Sequence, residues 1–123
     1  MRVVLVGCGG MLGAIARYAA GGLVHKLYPG RFPLGTLLIN IVGCFVLGLL
    51  ATLAADRGVL SASVRLFLFI GVLGGFTTFS SFGYETLTLW QDGLSWPAFF
   101  NVAASMILGL GAVWAGHALA RLV

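Results

Sequence analysis

The ten residues from Gly74 to Gly83, GGFTTFSSFG, hold three glycines, four hydroxyl side chains and three phenylalanines in an otherwise largely aliphatic chain. Glycine weakens a helix by about 1 kcal/mol relative to alanine, and threonine hydroxyls compete for backbone hydrogen bonds. At membrane depth a broken helix is permitted only where protein or water satisfies the freed groups. Carbonyls released from its first half can ligate a hard cation. Amides opening its second half can attract an anion. Phe79 and Phe82 are three residues apart and share a face of that second half. A phenyl edge carries partial positive charge, so paired rings can meet a small anion edge-on. On residue physics alone the segment reads as a helix break with two chemical faces, while for Phe79 and Phe82 rings that fill the core are the better supported alternative.

Other polar residues are candidates on the same ground, because a polar group in the bilayer must face protein or water. Thr36, Asn40 and Gly43 follow one another by about a helical turn and share a face. That face serves either interhelical hydrogen bonding or pore lining. Asn101, Ser105 and Gly109, spaced by four, repeat the pattern; the stripe suits a narrow hydrogen-bonding path or a tight helix interface. Arg17, beside Tyr18, either snorkels to the nearer interface or raises the potential of a vestibule and draws anions. Glu85 either pairs with an arginine or, left charged at mid-membrane, points to a proton-coupled exporter. His25 and His117 fall near expected interfaces, in solvated roles. No Ser/His/Asp set, carboxylate dyad or metal cluster is visible, which argues against an enzyme.

These residues need elements to hold them. The chain has 123 residues, 60% hydrophobic and 8% charged, with a mean hydropathy of +1.08. Soluble domains carry about one quarter charged residues, so this is a membrane composition. A span needs about 20 apolar residues, so four spans with short turns use the whole chain as one domain. They are expected at about 3–24, 34–55, 61–90 and 96–119, with the third broken near 74–78. Pro29, Arg31 and Pro33, then Asp56-Arg57-Gly58, then Gln91-Asp92-Gly93 mark the turns. Ser95 is expected to cap the fourth span, with Pro97 tolerated in its first turn. Trp90 and Trp96 flank that turn as an interfacial pair. The first segment is too long, and too well followed by further spans, for a cleaved signal peptide.

The net charge of +4 comes from basic residues spread singly, which disfavours nucleic-acid binding. Four spans place both termini on one side, with Arg2, Arg57, Arg65 and Arg121 there and Lys26 and Arg31 opposite. The positive-inside rule then gives only a weak orientation bias, which permits insertion both ways. Gly9 and Gly13, and Gly71 and Gly75, form GxxxG pairs, and Ala112 and Gly116 form a similar small pair. Such faces exceed what four helices need for themselves and point to a homo-oligomer. Cys8 and Cys44 lie in apolar runs and read as reduced, buried thiols.

At these residues the chain resembles the small Fluc (CrcB) fluoride channels over nearly its whole length. The likeness runs through Gly9-Gly10, Gly13-Ala14 and Arg17-Tyr18, then Gly35-Thr36-Leu37 and Asn40. It continues with Gly74-Gly75, Thr77-Thr78-Phe79-Ser80 and Phe82, close to that family's GGxTTFSTF signature. The resemblance implies an all-α integral membrane protein whose third of four transmembrane helices is broken near its middle. It implies an antiparallel, dual-topology homodimer in a bacterial inner membrane. It also implies a fluoride-selective channel that passively exports cytoplasmic fluoride along a pathway on each side of the subunit interface. The carbonyls of Gly74 and Thr77 from both subunits are expected to hold a central, structural sodium ion. Phe79 and Phe82 are expected to line the pathways and Asn40 to be the pore asparagine. Thr36, Thr78, Ser81 and Ser105 are the expected polar positions along the path, with Arg17 as the vestibule charge.

Ser81 stands where the family usually has threonine, and Asn101 and Gly109 stand where some members carry tyrosine and serine. The rival reading is a small four-span multidrug exporter, which needs a carboxylate in its first span; that span has Arg17 and no acid. A structural adaptor explains the glycines but not the TTFSSF cluster.

Overall fold

The computed structural model describes residues 1–58 and 60–123. Every regular element among them is helical: α1 (Arg2–Leu27), α2 (Leu34–Arg57), α3 (Ala62–Arg65), a π-helix (Leu66–Leu73), α4 (Gly74–Phe76), α5 (Phe79–Gln91) and α6 (Ser95–Leu122). The elements from α3 to α5 form one composite rod, Ala62–Gln91, so four helices are long and apolar enough to cross a membrane. The protein is a multi-pass membrane protein.

Turn chemistry sets the helix ends. Gly58 and Gly93 adopt φ of 61° and 77°, left-handed backbone that only glycine takes without strain. The Ser61 hydroxyl accepts the Val64 amide and starts the third span. The Arg65 guanidinium donates to the Ala54 carbonyl, so a cation sits near the C-terminal end of α2, where its dipole favours one. Ser95 departs from expectation. It is the first residue of α6, and Leu94 holds the cap position with no side-chain bond. The turn closes on the backbone instead, with the Ala98 amide donating to the Leu94 carbonyl at 3.0 Å.

Helices pair in alternation rather than in sequence. α1 lies mainly on the π-helix and α4, while α2 lies on α6. The small residues are what meet. A Cβ on Gly9 would stand 2.5 Å from the Phe67 carbonyl and 2.9 Å from the Gly71 Cα. A Cβ on Gly75 would stand 2.6 Å from the Gly10 carbonyl. Gly48 and Gly116 bring α2 and α6 together against the backbone of Val113 and of Phe45 and Leu49. The small-residue pairs are therefore used inside one chain, and they give no argument for an oligomer. In lipid, helices gain nothing from hiding one leucine against another, so close backbone approach carries the packing. Buried positions accordingly include Ala54, Ala98, Ala104 and Ala120, while Met11, Ile15, Leu110 and Trp114 face outward.

Polar groups tie the same interfaces. His117 is exposed, but its Nδ1 lies 2.9 Å from Thr52 Oγ1. The Thr52 hydroxyl proton is engaged by the Gly48 carbonyl at 2.8 Å, so the ring nitrogen is the donor. Cys8 is exposed on α1 and Cys44 half-buried, both free, so neither is the fully buried thiol expected.

Candidate functional site

The third span stays helical through Gly74 and Gly75 and breaks at the two threonines that follow. Thr77 (φ −80°, ψ 157°) and Thr78 (φ −151°, ψ 119°) are extended. The break thus falls within the expected 74–78, at the threonines rather than the glycines, and Gly75 lets α1 approach. At the end of α4, the Thr77 amide and hydroxyl both donate to the Leu73 carbonyl, at 3.0 and 2.9 Å. At the start of α5, Thr78 Oγ1 accepts the Ser81 amide at 3.2 Å as a helix cap. The same hydroxyl donates to Ser81 Oγ at 3.0 Å and lies 3.3 Å from Ser80 Oγ.

Asn40 holds this break from α2. Its Oδ1 accepts the Thr78 amide at 2.8 Å, and its Nδ2 donates to the Thr78 carbonyl at 3.0 Å. The Thr78 amide would serve the Gly74 carbonyl in a continuous helix, and the Ser81 amide would serve that of Thr77. Both amides are engaged elsewhere, which frees those two carbonyls. Released carbonyl oxygens of this kind suit a hard cation.

Two hollows meet at the break. The first, of about 300 Å³, brings together Asn40, Gly74, Thr77, Thr78, Phe79, Phe82, Ser105 and Gly109, with Cys44 also on its wall. The rings of Phe79 and Phe82 are 5.4 Å apart and tilted by 49°. Phe82 is buried, whereas Phe79 is 77% exposed on the single chain. Ser105 Oγ is enclosed with no hydrogen-bond partner among the described residues. The second hollow, an open cleft of about 860 Å³, collects Arg17, Tyr18, His25, Arg31, Thr36, Ser81 and Glu85. Thr78 lines both, so it forms the wall between them. Every residue expected at the path or the cation site thus falls on one hollow or the other, whereas Asn101 and His117 line neither.

Asn101 leaves its stripe. It is 1% exposed and donates Nδ2 to Thr86 Oγ1 at 2.8 Å. Thr86 in turn donates to the Phe82 carbonyl at 2.7 Å. Thr86 escaped the sequence reading, although its position four residues after Phe82 was a signal for such a back-bond. Glu85 also differs from expectation. Its Oε1 accepts the Thr36 hydroxyl at 2.7 Å, and its enclosed Oε2 has no partner, so no arginine pairs with it among the described residues.

The family model described as CrcB-like protein, Camphor Resistance (CrcB), matches residues 4–117. A relative from Methylobacillus flagellatus, named a fluoride-specific ion channel FluC, is 44% identical over 98% of this chain and 95% of its own length. One of the same name from Opitutus terrae is 49% identical over 91% of this chain and 86% of its own. A third, from Paracoccus denitrificans, is 49% identical over 94% and 91%. A match of this extent settles the affiliation: the chain belongs to the CrcB family.

Proposed function

We propose that this protein is a fluoride-selective channel that passively exports cytoplasmic fluoride and so confers fluoride resistance. One observation carries the reading. Asn40, Thr78, Phe79 and Phe82 surround a single hollow in a chain whose near full-length relatives are named fluoride-specific ion channels.

The residues divide the task by their chemistry. Arg17, half-buried in the open cleft, raises the local potential and concentrates anions at the mouth. Along the cleft toward the break Ser81 keeps a hydroxyl proton to offer. Thr36 and Thr78 place theirs on Glu85 Oε1 and Ser81 Oγ and would have to turn them to the anion. Beyond Thr78, the edges of Phe79 and Phe82 offer a small anion weak electropositive contact without holding it tightly. The enclosed hydroxyl of Ser105 offers a further donor in that hollow. Weak acid enters a cell as neutral HF, ionises at near-neutral pH and is trapped as the anion. The membrane potential then drives the anion out at about 2.3 kcal/mol per charge for each 100 mV. No coupling carboxylate is required.

The working unit is an antiparallel homodimer in a bacterial inner membrane. The exposed Phe79 ring and the Gly74 edge of the break support this, since a second copy would enclose both. The freed carbonyls of Gly74 and Thr77 would hold a structural sodium ion at the centre, which neutralises their oxygens and fastens the two breaks together. Experimental density lacking an ion between the Gly74 carbonyls of the two subunits would count against that assignment.

The deciding experiment is release from liposomes loaded with fluoride and chloride. Rapid, valinomycin-dependent fluoride release with little chloride loss is expected. Phe82→Ile is expected to slow that release sharply while the dimer stays assembled, and unchanged flux would remove Phe82 from the path. Glu85, with one carboxylate oxygen unpartnered among the described residues, is the observation that favours a proton-coupled exporter. Uptake of a cationic drug driven by a pH gradient would support that reading instead.

A further inference from the structure

We propose that Asn101 and Thr86 are positioning residues that fix the rotation of α5 and thereby aim the ring of Phe82; the inference rests on the channel reading above. Among the described residues three polar ties hold the thirteen-residue α5 and its cap to their neighbours: Asn40 to Thr78, Thr36 to Glu85, and Asn101 to Thr86. The first two both come from α2. Thr78 and Glu85 are seven residues apart, about two turns, so these ties fall along one stripe of the helix. Ties along one line leave the helix free to roll about that line. The third tie comes from α6, off the stripe, and resists the roll.

Its chemistry is directional. A threonine hydroxyl has one proton, and Thr86 places it on the Phe82 carbonyl at 2.7 Å. Its oxygen therefore receives the Asn101 amide at 2.8 Å. The two bonds run in sequence from α6 through Thr86 to the backbone of Phe82, and each polarises the next. Asn101, at 1% exposure, is enclosed almost completely, so loss of the bond leaves its amide without water to turn to. Phe82 sits between the stripe and this relay, with its ring 5.4 Å from that of Phe79. A small roll of α5 moves one ring relative to the other.

The test compares wild type with Thr86→Val, Thr86→Ser, Asn101→Leu and the Asn101→Leu/Thr86→Val double variant in fluoride-loaded liposomes, with assembly checked by gel filtration. Thr86→Val keeps the shape and removes the hydroxyl, so it is expected to slow fluoride release about tenfold, the factor for one lost hydrogen bond. Thr86→Ser is expected to restore most of the rate. The double variant is expected to be no slower than the slower single one, since both break the same relay. Wild-type rates in Thr86→Val and Asn101→Leu, or a Thr86→Ser as slow as Thr86→Val, would overturn the proposal. A 4-fluorophenylalanine label at position 82 reads the ring without reference to flux. Its fluorine resonance should match wild type in Thr86→Ser and move in Asn101→Leu, and an unmoved resonance in Asn101→Leu overturns the relay. A wild type that releases no fluoride instead defeats the channel reading itself, and the two failures are thereby distinguished.

Discussion

Asn40 closes the break with one side chain. A carboxamide carries donor and acceptor side by side, so it can serve both groups of the Thr78 residue at once. Alanine there would leave two backbone groups unpartnered, each at about 1–3 kcal/mol. Asn40→Ala is expected to lower the unfolding midpoint in detergent and to suppress fluoride release, whereas Asn40→Asp, which keeps only the acceptor, should fall between. An unchanged midpoint in the alanine variant would show that the break is held elsewhere. In the sequence, Asn40 stood open between helix glue and pore wall. The structure shows the hydrogen bonding between helices and puts the same residue on the hollow beside Phe79 and Phe82, on which the proposed pore role rests. Glu85 was less legible. Nothing in its spacing says which side chain on another helix will reach it, and Thr36 does so across 49 residues.

For the elements, one crossing gives a matched pair of tests. A Cβ on Gly75 would stand 2.6 Å from the Gly10 carbonyl and 3.0 Å from its Cα, whereas a Cβ on Gly10 meets nothing within 4 Å. Gly75→Ala must therefore push α1 away from the third span, at an expected cost of about 1–3 kcal/mol. Gly10→Ala, at the same crossing, should be tolerated. Thermal unfolding of both variants checks the contrast, and equal midpoints would deny that backbone contact carries this packing. The small-residue faces were legible from spacing, but their partners were not. Gly9 meets Gly71 within one chain because the helices alternate, which no local pattern encodes. The π-helix was invisible for a related reason. LFLFIGVL is a plain apolar run, and nothing in such side chains distinguishes i+5 from i+4 bonding.

In the whole molecule, the four spans put both termini on one side, with basic residues divided between the two faces. A single reactive cysteine added after Val123, with Cys8 and Cys44 replaced by serine, should be labelled in comparable amounts from either face of the membrane. Labelling from one face only would remove dual insertion from the proposal. Span number and charge were readable because length and hydropathy determine them. The small residues that pointed to an oligomer pack within the chain, so the proposed dimer rests on other grounds. The alternating pairing of helices also governs how the chain is made. α1 finds its main partner in the third span, and α2 finds its own only in α6, the last to emerge. During synthesis, then, neither α1 nor α2 meets its main partner in the other. The clamp of Asn40 on Thr78 can form only once the third span is in place. Biogenesis is therefore decided at its end, and a copy stalled before Ser95 would leave α2 without its main partner and open to quality-control proteolysis.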